Sequence, residues 1–323
     1  MVEYLSGNRI QGSSTLSSAP PATSWKELAR ASLSGAGDTI TTSTFTAKDN
    51  MKVLTFGLAS GNIEAALQVG NGSIDTNHTA SGNEFITYDI LNVANQEKLV
   101  VADLVDSNSA GAGNAPNRVE HVGKWANTSN QINIVQAKNV GGGSFDTGSE
   151  IIVLGCDNDE ADSGTNFWQE LDSVELSATA NEINSGTFTA KKYLWVQLHG
   201  VASGSISGAD LQFNGDTGSN YARRYSANGG SDGTGTSEAT LGGIGTASGD
   251  SFVNWFIINK SDKEKLVVGE GLANTTGAGN APDRRELTGK WANTSAQITS
   301  IKVKENGSGG WTNGTTLKVW GSD

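Results

Sequence analysis

The sequence predicts an all-β protein: two tandem antiparallel β-sandwich domains, jelly-roll-like, after an extended N-terminal arm. Three observations predict it. The 323-residue chain contains two copies of one pattern, which also fits its length of about two domains. Each copy is a series of short runs with period-2 alternation, bounded by Gly, Asn, Asp or Ser. Gly 42 against Pro 4, with heavy Ser, Thr and Asn use, favours tight turns between strands over helices.

The arm comes first. Residues 1–24 are polar, Ser-rich and carry Pro20-Pro21, which favours extended backbone. Such a segment is either a disordered tail or an arm that orders on a neighbouring subunit. The first copy spans 25–157 and opens on Trp25-Lys-Glu-Leu28. The second, 168–323, opens on Trp168-Gln-Glu-Leu171. Thr44-Phe-Thr-Ala-Lys48 recurs as Thr187–Lys191, Glu97-Lys-Leu-Val-Val101 as Glu264–Val268, and Gly111-Ala-Gly-Asn-Ala-Pro116 as Gly277–Pro282. Gly123-Lys-Trp-Ala-Asn-Thr-Ser129 recurs as Gly289–Ser295. The second copy carries an insertion near 215–246. In the first copy strands are expected at 26–33, 39–45, 52–59, 65–69, 85–91, 98–104, 119–124, 131–138 and 150–154. Eight or nine strands without an intervening helix suit a two-sheet sandwich. Jelly-roll and immunoglobulin-like strand orders both remain open at this stage.

Residues 158–167 form an acidic linker. The run 157–162 could gather Ca²⁺, but it lacks the loop Gly and closing Glu of a helix–loop–helix calcium site, so a solvated linker is the plainer reading. A net charge of −12 disfavours nucleic acid as a partner. One cysteine, Cys156, rules out an intramolecular disulfide. No run is apolar enough to span a membrane, and residues 1–12 lack the apolar core of a secretory signal.

No catalytic set, metal site or cofactor is expected. His78, His121 and His199 lie far apart in sequence and do not recur between copies. Gly229-Gly-Ser-Asp-Gly233 has the spacing of a hydrolase elbow, yet sits in a Gly/Ser-rich insertion without the required strand–helix frame. The Gly-Ala-Gly-Asn-Ala-Pro runs put Pro where a dinucleotide loop needs Gly, and read as turns. Glu97/Glu264 and Glu120/Glu286 recur, which favours structural ion pairs with adjacent basic residues, Lys98/Lys265 and Arg118/Arg284, over an acid–base pair.

Trp25/Trp168 and Trp125/Trp291 are matched pairs and read as core or sheet-edge packing. Trp255, Trp311 and Trp320 replace Tyr88, Phe145 and Leu154, again as core. Trp195 replaces Lys52 and is expected to face outward, as a sugar-binding aromatic would. Within the insertion, Tyr221, Arg223, Arg224 and Tyr225 could stack and pair with an acidic neighbour. They read either as one extra hairpin or as a contact loop toward a subunit or glycan.

The Asn8-Arg-Ile-Gln-Gly12 opening, the Asn220–Ser226 segment and the repeated Gly-Lys-Trp-Ala-Asn-Thr-Ser resemble tandem-repeat proteins of marine microbes and their viruses. The resemblance is closest to virion structural proteins of the capsid decoration, knob or fibre type. It implies a virion location, other virion subunits as partners and a homo-oligomer with trimer favoured; the lack of a catalytic set in the residues is what argues against an enzyme. It carries over no site residues. The alternative expectation is a carbohydrate-binding surface module recognising a host-surface glycan; a polysaccharide-active enzyme ranks third.

Overall fold

The structure, a computed structural model, describes residues 25–70, 72–74, 79–80, 82–157, 166–204, 206, 208–244, 249–274 and 277–323. The arm at 1–24, and most of the linker with its calcium-binding alternative, lie outside the described residues. Every described element is a strand or turn, and the sheets are antiparallel. The chain forms two compact units: one runs to Leu104 and resumes over Val119–Gln169, and the other comprises Val105–Arg118 with Glu170–Asp323. Val105–Arg118, part of the first copy in the sequence repeat, thus groups with the second unit.

In the first unit a six-stranded sheet runs in the order Lys26–Ser32, Glu150–Cys156, Asn50–Gly57, Glu84–Leu91, Lys98–Asp106, Asn117–Trp125, the last two strands running at one end into the stretch Val105–Arg118. A second sheet runs Thr39–Thr41, Val135–Asn139, Ile63–Val69, Gly72–Ile74. Side chains alternate across each strand, so Val53, Ile86, Tyr88, Val100, Ala102 and Val153 from the first sheet meet Ile40, Leu67, Val69 and Ala137 from the second in one core. The expected strand at 131–138 is shorter than its apolar pattern, because Ile132 instead donates its amide to the side chain of Asn92.

The second unit repeats this frame. Its large sheet runs Gln169–Glu175, Thr316–Ser322, Tyr193–Gly200, Ser251–Ile258, Lys265–Ala273, Asp283–Trp291, and then continues into Tyr221–Ala227 and Gly233–Glu238. The insertion is thus a hairpin added to the sheet edge, which moves the edge from Asp283–Trp291 to Gly233–Glu238. Asn228 and Gly229 take positive φ at its turn. The opposing sheet runs Glu182–Asn184, Ile301–Lys304, Ala209–Phe213, Leu241–Ile244.

Several repeated residues act as fixed brackets. Asn92 and Asn259 are fully buried; each donates to two carbonyls, Lys48/Ile132 and Lys191/Ile298, and accepts from Ile132 or Ile298. The Asn127 and Asn293 side chains cap the turns after the Gly-Lys-Trp-Ala-Asn-Thr-Ser strands. Their carbonyls accept from the buried ammonium groups of Lys98 and Lys265. These lysines therefore do not pair Glu97 and Glu264, as sequence adjacency implied: neighbours on a strand point to opposite faces.

Core size is exchanged between paired strands. Tyr88 and Ala102 in the first copy become Trp255 and Gly269 in the second, and Trp255 lies directly across from Gly269. A Cβ on Gly269 would sit 2.5 Å from Trp255 Cδ1. Gly269→Ala should therefore destabilise the protein by about 1–3 kcal/mol through overpacking. Adding Trp255→Tyr should restore most of the loss, measured by urea unfolding. Burial lowers the pKa of Lys265 from 10.5 to about 8. Between those values the unfolded lysine holds a proton that the folded one has released, so stability rises with pH by at most about 1.4 kcal/mol per unit. Lys265→Met should show a flatter stability profile than wild type across pH 8–10.

Candidate protein-contact site

The residues that come together around a defined feature lie on the face of the second unit's large sheet opposite its core. Leu287 and Trp291 point into the core. Alternation therefore turns Glu286, Thr288 and Lys290 the other way. Pairing in register with the neighbouring strands brings Arg224 beside Thr288, and Val268 beside it on the other side.

This face holds the segment Val105–Arg118 by its backbone. Lys290, 0% exposed, donates from Nζ to the carbonyls of Ser107 at 2.9 Å and of Ser109. Its partner Glu264 lies 3.8 Å away and accepts the amide of Gly111 at 2.6 Å. Arg224 Nε donates to the Pro116 carbonyl at 2.9 Å, and the Ser237 amide donates to the Ala112 carbonyl at 2.7 Å. Arg118 pairs with Asp232 at 2.7 Å and with Glu286 at 3.6 Å; Glu286 also takes Arg284 at 2.6 Å. Burial pulls the Lys290 pKa down, while Glu264 and Asp106 resist that shift. A buried ammonium paired with one carboxylate and two carbonyls meets the condition for tolerating charge away from water.

Gly111 is suited to this role because φ there is +87°, the left-handed region where a side chain is strained. That turn presents its amide to Glu264. The arrangement offers main-chain recognition by charged side chains. Glu264 and Glu286 are both committed to cations within it, and among the described residues no cluster of His, Cys, Asp or Glu is placed to hold a metal.

Of the five candidate contact residues, Arg224 bonds Val105–Arg118, through the Pro116 carbonyl. Trp195 is a correction. It lies on the face away from the core, as expected, but is 8% exposed, stacked on Trp320 at 4.7 Å and on Phe256 at 5.9 Å, with its indole nitrogen donating to Asn254. Tyr221 is also buried, as part of the core; its hydroxyl accepts from the Phe213 amide and burial drives its pKa upward. It stacks beside Trp291, whose indole donates to Asp216 at 2.7 Å. Burial opposes ionisation of Asp216, but this bond and those from Gly218 and Asn220 hold its pKa below the usual range. Arg223 makes a two-point pair with Glu238 and lies over the Tyr225 ring. Neither Trp195 nor Tyr221 presents a sugar-binding platform. Sequence reasoning missed Lys290 and Glu264 as a pair; the signal was their recurrence at Lys124 and Glu97.

No family model and no curated protein matches the chain. Among solved structures, the mouse laminin alpha1 chain, domains LG4-5, matches at 10% identity over 90% of this chain and 88% of that one, with a TM-score of 0.19. At that score the match carries no weight for fold or function.

Lys290→Met should destabilise the second unit by about 3 kcal/mol, because Glu264 and two carbonyls are left without the cation. Lys124→Met, at the exposed twin position, should change stability by less than about 1 kcal/mol. Paired urea titrations check both.

Proposed function

We propose that this chain is a structural protein that works through protein–protein contact, in the manner of a virion coat, decoration or fibre subunit. The observation that carries the reading is the grip on Val105–Arg118, in which Lys290, Glu264 and Arg224 bind main-chain groups of a Gly-rich loop. Backbone recognition of this kind holds an extended segment in one register. It is a way of joining pieces of a shell, and it needs no exposed catalytic group.

Three further features support it. Both copies carry the same Gly-Ala-Gly-Asn-Ala-Pro loop, so the contact element is duplicated with the scaffold. The acidic balance keeps a protein soluble at high local concentration. The sequence resemblance points to virion structural proteins, with other virion subunits as partners. The burial of Trp195 and Tyr221 removes the main support for the glycan-binding alternative.

Particles purified from a lysate of the source culture should contain the chain in a fixed ratio to the major shell protein, and immunogold labelling should decorate their surface. Recovery of the chain only in particle-free fractions would overturn the reading.

A further inference from the structure

The two copies show opposite patterns of exposure at matched positions. On the outer sheet face of the second unit Ile258, Leu266, Val268 and Thr288 are buried. Their counterparts in the first unit, Leu91, Leu99, Val101 and Val122, are 44%, 50%, 53% and 83% exposed. The charged pair follows the same rule: Lys290 and Glu264 are nearly inaccessible, while Lys124 and Glu97 form an open ion pair at 3.0 Å.

The reverse holds for the elements beside the loop. In the first copy Phe85 and Val105 are buried, and Pro116 is buried with them. In the second copy Phe252 and Leu272 are 41% and 45% exposed, and Gly277–Pro282 is exposed throughout. Phe252 and Leu272 are direct cross-strand partners, so they form one apolar step beside that loop. The chain thus carries one loop seated on a sheet face, one exposed copy of the loop, and one exposed copy of the face.

We propose that the exposed loop of one chain, Gly277–Arg284 with Phe252 and Leu272, docks on the first-unit face of a second copy, at Leu91, Leu99, Val101, Val122, Glu97 and Lys124. The seated contact supplies the pattern for it. Gly111 donates to Glu264, so Gly277, also at positive φ, donates to Glu97. Arg118 pairs with Glu286, so Arg284 pairs with Glu120 of the second copy. Apolar surface exposed on each side is removed from water together. Arg224, Asp232 and Ser237 belong to the insertion and have no counterpart in the first copy. The contact between chains is therefore weaker than the seated one and depends on concentration. Because loop and face are different surfaces, the contact is head-to-tail, and it builds rings or open chains. The inference deepens the structural reading and rests on it for the premise that protein contact is the role of this face.

The test is sedimentation of the full chain, with circular dichroism to confirm folding. Wild type should associate as concentration rises. Leu99→Glu removes the face and Leu272→Glu removes the loop step; both positions are exposed, and each variant alone should remain monomeric. An equimolar mixture of the two should form dimers and nothing larger, since each chain retains one intact half. A wild type that stays monomeric at about 100 µM, variants that still associate, or a mixture that stays monomeric would overturn the inference. Chains that decorate particles yet never bind one another would overturn it while leaving the structural reading standing.

Discussion

A lysine ammonium out of reach of water organises the outer face of the second unit. Lys290 can remain there only while carbonyls and a carboxylate surround it, and Ser107, Ser109 and Glu264 supply them. Glu264 in turn fixes the Gly111 amide. The demand for partners around one buried charge thus sets the register of a whole loop. Removing a member of this set leaves the others buried without compensation, which is why the contact is specific to this segment and this turn.

The same demand explains how two similar copies came to differ. A Lys–Glu pair on an exposed sheet face makes an ordinary surface ion pair, as Lys124 and Glu97 do. Covered by a loop that offers carbonyls, it becomes a clamp. The added hairpin strengthens the second version through Arg224, Asp232 and Ser237. The aromatic exchange is separate from this: Trp255 and Gly269 alter the core without changing the strand frame that positions the clamp.

Much of the fold was legible. The repeat stood out because its glycines, tryptophans and Asn-Ala-Pro runs recur in order, and period-2 alternation located most strands. The assignment of Trp255 and Trp311 to the core was correct because their counterparts are also large and apolar, whereas Trp320, also expected in the core, lies directly across from Trp195 and stacks on it on the opposite face. What could not be read was pairing. Lys98 and Lys265 seemed natural partners for the glutamates beside them, but strand geometry sends adjacent side chains to opposite faces. Trp195 was correctly placed away from the core, yet local pattern could not reveal that Trp320 and Phe256 stack on it. The membership of Val105–Arg118 in the second unit depends on contacts distant in sequence, and nothing within the loop announces it.

Amide hydrogen exchange at two glycines tests the clamp most directly, since the protein contains its own control. Gly111 and Gly277 occupy the same place in the same motif and both take positive φ. In dilute protein held monomeric by Leu99→Glu, the Gly111 amide should exchange at least about 100-fold more slowly than that of Gly277, because Glu264 holds it against a covered face. Equal exchange at the two glycines would contradict the clamp and the division between the two copies.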